Sequence, residues 1–205
     1  TLLVTIQRQP MEIKMTKLDD HLGGHNNVAN LDLGALSALH KVLNPKSFLD
    51  VGCGLGGMVE VAEKEYGMEA LGIDGDHTID RYDNSKFIIH DFTKGPVPLE
   101  KTYDLGWSVE FVEHVYEKYI PEYITSFQAC KVMVITYAPV GWGGHHHVNE
   151  QDEAYWIRTM ASYKFRYDEA LTKLTRKEST LNCKYHKKGR KAFVKNRGLV
   201  FINDN

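Results

Sequence analysis

The stretch that most constrains the fold lies between residues 48 and 57. An apolar run over residues 48–51 predicts a buried strand, and four glycines follow it within six residues. Apolar side chains then return at helical spacing between residues 58 and 66. Glycines allow a tight turn and a close approach to a ligand, and the free N–H groups of a helix start favour negative charge. This order of strand, turn and helix therefore predicts a binding place for a nucleotide-like ligand.

A second acid supports that interpretation. Asp74 ends the next apolar run and lies twenty positions after Gly54. An acid about this far beyond the glycines is placed to bind the hydroxyls of a ribose. The pattern Gly-x-x-x-x-Gly-Lys-Ser/Thr of a P-loop is absent, and the Gly-x-Gly-x-Gly spacing differs from that of dinucleotide-binding proteins.

Three segments together resemble the class I S-adenosylmethionine (SAM)-dependent methyltransferases. The first combines Asp50-Val51-Gly52-Cys53-Gly54-Leu55-Gly56 with Gly72-Ile73-Asp74. The other two are similar to one branch of that family: Ser108-x-Glu110-x-x-Glu113-His114, and the glycines from residue 141 followed by His147-Val148-Asn149-Glu150-Gln151 and Tyr155-Trp156. The resemblance implies an α/β fold, a single doubly wound, Rossmann-like domain with a seven-stranded, mostly parallel sheet and an antiparallel last strand. It also implies SAM as the cofactor and S-adenosylhomocysteine (SAH) as its product.

The same resemblance implies a set of cofactor-binding residues. They are the glycine turn and the side chains at the ends of the following strands: Asp50, Gly52, Cys53, Gly54, Gly56, Asp74, Gly75, Asp91, Phe92 and Ser108. In the resembled family an acid at the position of Asp91 contacts the adenine amino group, and the next residue packs on the ring. The alternative is that Asp91 only caps a loop.

Candidate catalytic residues are expected at the same edge of the sheet, because open parallel sheets bind ligands beyond the carboxyl ends of their strands. Methyl transfer from a sulfonium depends on holding the acceptor in line, and a hydroxyl acceptor additionally needs a base. The candidates for that base are His147, His114, Glu110 and His25. His147 is favoured because an imidazole accepts a proton near neutral pH and because this residue follows the fifth strand.

Each candidate has a structural alternative. In the structural alternative, His147 and Asn149 only fix their loop by hydrogen bonds. If His147 is instead the base, Asn149 is expected to orient its imidazole. Glu110 would face the methionine end of the cofactor or a bound water. Glu113 and His114 are expected to open a helix, where polar side chains commonly satisfy backbone groups.

Three consecutive histidines, residues 145–147, raise the question of a metal. In an extended loop His145 and His147 would point to one side and His146 to the other. Two ligands are fewer than zinc usually takes, and the sequence shows no acidic cluster beside them. We therefore expect no metal site.

The whole chain, residues 1–205, is expected to be one methyltransferase domain, with a core over 31–205. Residues 1–30 form an N-terminal segment in which a glycine pair stands between His21 and His25. This pair marks either a surface turn or a flexible lid over the cofactor. No apolar run reaches the length of a membrane span, so we expect no membrane contact. Three scattered cysteines without a Cys-x-x-Cys pair suit a reducing cytoplasm.

The formal net charge of −2 hides a basic segment near the end of the chain. Residues 173–197 contain ten Lys or Arg side chains. Such a segment either neutralises phosphates of a nucleic acid or is a solvated insertion. The first functional hypothesis is therefore a SAM-dependent methyltransferase acting on a hydroxyl or amine of a small-molecule or glycan-like acceptor. The alternatives are a nucleic-acid methyltransferase that uses this segment and a SAM-binding protein without transferase activity. The oligomeric state is not predicted.

Overall fold

The computed structural model describes residues 18–23, 28–181 and 192–205. Within them seven strands form one sheet: β1 Ser47–Val51, β2 Glu69–Asp74, β3 Phe87–Ile89, β4 Tyr103–Ser108, β5 Cys130–Ile135, β6 Phe165–Tyr167 and β7 Leu199–Asn203. The α-helices are α1 Leu33–Leu43, α2 Gly57–Tyr66, α3 Ile120–Gln128, α4 Glu153–Ser162, α5 Glu169–Glu178 and α6 Phe193–Arg197. His25, Cys183 and the basic residues between 184 and 191 lie outside the described residues.

The strand order is β3-β2-β1-β4-β5-β7-β6. Neighbours among β1 to β5 pair in parallel, and β7 is antiparallel to both β5 and β6. From β1 the chain continues to β2 on one side and later returns to β4 on the other, so the strand order reverses beside β1. Ligands of such sheets bind at this reversal, outside the carboxyl ends of the strands. The predicted fold, including its antiparallel last strand, is confirmed.

Apolar side chains of the strands alternate between the two faces of the sheet and form two cores. Phe48 of β1 packs in the core that contains α1, α2 and α6, whereas Leu49 packs in the core that contains α3 and α4. Residues 132–135 of β5 form the continuous apolar run expected of a strand buried on both faces, and in β1 only the buried Asp50 interrupts the apolar run over residues 48–51. Burial on both faces fixes the register of these strands and therefore the places where their loops begin.

Capping residues bound the helices around β1. The Asp32 carboxylate accepts a hydrogen bond from the Ala35 N–H (3.0 Å) at the start of α1. α2 follows Gly56 and ends before Gly67, and both glycines have positive φ angles, 77° and 64°. Across the described ranges, no helix has both the length and the apolar character needed to cross a membrane.

One predicted helix is wrong. The sequence suggests a helix opening at residues 113–114, but Val112–His114 form a single 3-10 turn, and α3 begins only later. The Glu113 carbonyl accepts hydrogen bonds from the N–H groups of Val148 and Asn149, at 2.9 and 3.1 Å. A carbonyl bound in this way does not accept the helical N–H four residues further on. A loop from a distant part of the chain therefore prevents the helix.

Candidate active site

A cleft opens at the carboxyl ends of β1, β2 and β4, where the strand order reverses. Nine of the residues predicted from the sequence line it: Asp50, Gly52, Cys53, Gly54, Asp74, Gly75, Glu110, His114 and His147. The fold thus brings the predicted glycine turn and the predicted catalytic residues to one cleft. Further lining comes from apolar side chains that no motif marks: Leu22, Met58, Trp107, Phe111 and Phe193.

The glycine turn is fastened to the end of β2. The Gly54 N–H donates a hydrogen bond to the Asp74 carboxylate (2.8 Å). From the other side Arg81 donates from Nε to the Gly54 carbonyl (2.9 Å) and from its terminal nitrogens to the Asp76 carbonyl (3.2 Å). The Arg81 guanidinium also lies 3.4 Å from the Asp74 carboxylate, and its side chain is 1% exposed. Sequence patterns give no sign of Arg81, because a lone arginine in a loop belongs to no motif or period.

Asp50 and Asp74 place two carboxylates in the cleft. Burial, and secondly the charge of Asp74, hold the pKa of Asp50 well above its usual range. Asp74 is kept in place by backbone donors, the N–H groups of Gly54 and Asp76, both at 2.8 Å. Paired carboxylates in a partly enclosed cleft favour a ligand that carries positive charge.

Four predicted cofactor residues lie outside this lining: Gly56, Asp91, Phe92 and Ser108. Ser108 is buried and donates from Oγ to the Val51 carbonyl (2.8 Å), so it joins the ends of β1 and β4. Phe92 is buried behind Phe111, with ring centroids 5.8 Å apart. Gly56 makes the positive-φ turn into α2. These three residues support the walls of the cleft from behind.

Asp91 lies two residues beyond the end of β3 at Ile89. Its carboxylate accepts hydrogen bonds from N–H and Oγ1 of Thr93, both at 2.8 Å, and so caps the turn Phe92–Lys94. His21 Nε2 lies 3.2 Å from the same carboxylate. Burial raises the pKa of Asp91, but the Thr93 hydrogen bonds and His21 outweigh it and lower the pKa overall. Asp91 therefore caps the turn after β3.

A short N-terminal turn covers the cleft. Asp20–Leu22 form a 3-10 turn, and the Leu22 side chain sits so close to Gly75 that a Cβ there would lie 2.3 Å from Leu22 Cδ2. The ring of His145 bonds from Nε2 to the Asp20 carbonyl (2.8 Å). Together with the contact between His21 and Asp91, these interactions hold residues 20–22 against the cleft.

Two glutamates lie side by side at the other end of the cleft. Burial raises the pKa of Glu110 to about 7, against the opposing pull of Arg197, whose guanidinium lies 3.5 Å away. Glu113 is fully buried, and neither of its carboxylate oxygens has a hydrogen-bond donor within the described residues. Burial and then the charge of Glu110 raise the pKa of Glu113 well above its usual range. A buried carboxylate without a donor is costly, and native proteins rarely retain one without a reason.

His114 and His147 meet next to these glutamates. Their rings are perpendicular, with centroids 4.8 Å apart. Burial, and secondly the charge that His147 would carry, lower the pKa of His114 to about 4. His147 Nδ1 lies 3.1 Å from the Glu150 carboxylate, which also accepts the N–H groups of Gly141 (2.8 Å) and Gly143 (2.6 Å). When Nδ1–H donates to this carboxylate, Nε2 is the ring nitrogen with a free lone pair.

Two details predicted for this loop are corrected. Glu150, and not Asn149, contacts the His147 imidazole. His145 and His147 do not converge: His145 bonds to the N-terminal turn, whereas His146 bonds from Nδ1 to the His114 carbonyl (3.1 Å). The alternation of an extended loop fails because His146 has a left-handed backbone, with φ 49°.

Most of the described basic side chains between residues 173 and 197 bind groups of the protein itself. Arg197 is buried, donates from Nε to the Tyr137 carbonyl (2.6 Å) and lies over the Trp142 ring. Arg176 pairs with Glu153 at 2.6 Å. Lys173 and Lys177 pair with glutamates of α5, and Lys195 is exposed. Arg176 and Arg197 thus brace the sheet and the cleft, whereas Lys173, Lys177 and Lys195 lie at the surface.

Solved structures of methyltransferases share this fold. A TehB-like SAM-dependent methyltransferase from Corynebacterium glutamicum is 14% identical, with a TM-score of 0.58 over 83% of this chain and 88% of its own. The methyltransferase domain of bacterial CtHen1 is 15% identical, with a TM-score of 0.52 over 83% and 96%. Magnesium protoporphyrin IX methyltransferase from Synechocystis, solved with bound SAM, is 12% identical, with a TM-score of 0.52 over 83% and 76%. No protein-family model and no curated protein matches the chain.

At these identities the likeness shows the fold. The chain has the fold of the class I SAM-dependent methyltransferases, as its sequence motifs predict.

Proposed function

We propose that the protein is a SAM-dependent methyltransferase that transfers the sulfonium methyl group to a hydroxyl or amine of a small-molecule or glycan-like acceptor. The observation that carries this proposal is that one cleft joins the glycine turn and Asp74 to Glu110, His114 and His147. Among structures of this fold, the protoporphyrin enzyme holds SAM and the plantazolicin methyltransferase holds SAH. Their names indicate a porphyrin and a peptide-derived acceptor, so the fold accommodates acceptors other than nucleic acids.

The glycine turn and the paired carboxylates suit SAM, which carries positive charge on its sulfonium and ammonium groups. Asp74 accepts hydrogen bonds from the ribose hydroxyls, while Gly52, Cys53 and Gly54 let the backbone approach the cofactor. Asp50, which is buried in β1, also lines the cleft. Gly75 leaves room for the Leu22 side chain of the N-terminal turn, which closes this side of the cofactor site. When bound, SAM supplies the electrophilic methyl group.

Asp91 and the N-terminal turn are proposed to act together at the adenine end. The Asp91 carboxylate can receive the adenine amino group only after His21 moves away from it, because their side chains now lie 3.2 Å apart. Opening of the turn over residues 20–22 would therefore accompany cofactor entry, and its return would exclude water from the cleft. Gly56, Phe92 and Ser108 support this end of the site indirectly.

The acceptor is proposed to lie against His147, His114 and Glu110, which form the catalytic wall. Rigid elements hold this wall: the Thr136 hydroxyl accepts the Glu110 N–H at 2.8 Å, and Glu150 orients the His147 ring. Catalysis of methyl transfer consists mainly of holding the acceptor atom in line with the methyl group. The buried walls around the two histidines provide that alignment.

Calorimetry with SAH tests the cofactor assignment. Hydrogen bonds to a carboxylate contribute about 1.5–3 kcal/mol each, so Asp74→Ala should weaken SAH binding at least tenfold. Asp83→Ala, which removes a carboxylate that does not line the cleft, is the matched control and should leave the affinity unchanged. Equal affinity of the folded Asp74→Ala variant and the parent would remove the assignment. Mass spectrometry of acceptor mixtures incubated with SAM then separates a transferase from a SAM-binding protein without activity.

A further inference from the structure

Three side chains of metal-binding type converge on the acceptor side of the cleft. Glu113 and His114 come from the turn after β4, and His147 comes from the loop after β5. Their ligand atoms all lie within 4.8 Å of one another. Ligands held about 2.0–2.2 Å from one ion are roughly 3–3.5 Å apart, so modest side-chain rotations would complete a site.

The Glu113 carboxylate is the second observation that indicates a cation. It is fully buried, and its two oxygens meet no hydrogen-bond donor in the described ranges. The nearest guanidinium, that of Arg197, is directed to Glu110 and the Tyr137 carbonyl. Buried charges are normally paired or coordinate metals, and the side chain beside Glu113 is a second carboxylate, that of Glu110, which cannot neutralise it.

The backbone prepares this geometry. The Glu113 carbonyl accepts the N–H groups of Val148 and Asn149, and His146 donates to the His114 carbonyl. These bonds hold the turn and the loop against each other, so the three side chains meet without any ligand. The structure thus explains why residues 112–114 leave the helical path.

Glu150 completes the arrangement from outside. Its carboxylate lies 3.1 Å from His147 Nδ1 and is itself held by the N–H groups of Gly141 and Gly143. Histidines that bind metals commonly donate their other ring N–H to a carboxylate, which fixes the tautomer and the ring orientation. A carboxylate in this position suits His147 both as a general base and as a metal ligand. The adjacent Glu113 and His114 favour the role of metal ligand.

We propose that Glu113, His114 and His147 bind a divalent first-row transition-metal ion. An oxygen of the methyl acceptor coordinates this ion. Two imidazoles and one carboxylate suit Mn²⁺, Fe²⁺, Co²⁺ or Zn²⁺ better than Mg²⁺ or Ca²⁺, which prefer all-oxygen sites. Three protein ligands leave coordination positions open for substrate. The inference rests on the proposed function and narrows it, because the acceptor group is then a hydroxyl. An acceptor with a second oxygen beside this hydroxyl suits the site best, since both oxygens can chelate the ion.

The transfer step follows from ordinary Lewis-acid chemistry. Coordination lowers the pKa of the acceptor hydroxyl, whose proton passes to solvent water. The oxygen lone pair then forms a bond to the methyl carbon, the carbon–sulfur bond breaks, and its electron pair stays on sulfur. The products are the methyl ether and neutral SAH. In this scheme His147 acts as a ligand and not as a general base.

Direct metal binding tests the proposal without knowledge of the acceptor. The metal-stripped protein is titrated with Co²⁺, and visible d–d absorption and calorimetry report the stoichiometry and affinity. We expect one Co²⁺ per chain. Loss of the outer carboxylate in Glu150→Gln should weaken binding about 10–100-fold, and loss of a ligand in Glu113→Gln or His147→Gln should weaken it further. Glu113→Gln keeps the shape of the side chain and removes a buried charge, so it should remain folded by circular dichroism.

The second His and carboxylate group of the described residues, Asp19, His21 and Asp91, provides the control. Asp19→Asn should leave Co²⁺ binding unchanged. Absence of stoichiometric Co²⁺ binding, its persistence in both ligand variants, or its loss in Asp19→Asn alone would overturn the proposal. SAH calorimetry on the metal-stripped protein separates the two claims. If SAH binds and Co²⁺ does not, only this inference fails; if SAH does not bind, the proposed function fails.

Discussion

Arg81 provides a sharp test of how the glycine turn is held. Its guanidinium bonds to the Gly54 and Asp76 carbonyls and lies against the Asp74 carboxylate, at full burial. Arg81→Met keeps much of the apolar stem but removes every one of these donors. The two carbonyls then lose their donors, and the Asp74 carboxylate loses the cation beside it.

The magnitude follows from those contacts. Breaking a buried charge pair by removing one partner costs about 3–5 kcal/mol. We therefore expect Arg81→Met to lower the free energy of unfolding by about 3–5 kcal/mol. With a urea dependence of about 2 kcal/mol per molar, the unfolding midpoint falls by about 2 M. Arg81→Lys keeps the charge but not the planar fork, so we expect an intermediate loss.

Urea denaturation followed by circular dichroism measures these differences. Arg166→Met is the matched control, because Arg166 is 58% exposed and forms a surface ion pair with the exposed Asp204. Such a pair contributes about 1 kcal/mol or less. A loss in Arg81→Met no larger than that in Arg166→Met would show that the turn is held by its own backbone. The reasoning about Arg81 would then be wrong.

Two further predictions concern charge. The raised pKa of Asp50 means that the folded protein binds a proton more tightly than the unfolded chain, so ionised Asp50 lowers stability above the unfolded pKa of about 3.9. Asp50→Asn should therefore raise the free energy of unfolding at pH 8, and the gain should vanish near pH 4; an equal gain at both pH values would contradict this. RNA or DNA binding by filter assay should be weak near physiological salt, because Arg176 and Arg197 bind groups of the protein and Lys173 and Lys177 pair with glutamates. Tight, salt-sensitive binding that is lost on neutralising residues 187–191 would favour a nucleic-acid acceptor instead.

The sequence predicts the fold well because its decisive signals are local. The apolar run, the glycines and the following helical spacing around β1 need only neighbours in the chain, and Asp74 follows from a fixed distance. Gly67 likewise ends α2 through its own backbone freedom. The local structure predicted around β1 is retained in the folded protein because the sheet buries β1 on both faces.

The candidate site is only partly predictable, because its remaining parts depend on contacts between distant segments. Arg81 acts through backbone carbonyls of the glycine turn, and no residue type at those positions marks the contact. The helix expected at Glu113 is lost to two N–H groups of the loop after β5. The same contact brings His147 to His114, so the error in secondary structure and the missed side-chain cluster have one cause.

The position of β7 in the sheet has a consequence for biosynthesis. β7 is the last strand of this sheet to leave the ribosome, yet it lies between β5 and β6 and pairs with both. Until residues 199–203 emerge, the apolar β5 presents an unpaired edge, and such edges invite pairing with other chains. Arg197, which braces Glu110 and the Tyr137 carbonyl, arrives with the same segment. A ribosome-bound chain therefore has its glycine turn long before Arg197 can brace the catalytic wall, and it needs protection from aggregation during that interval.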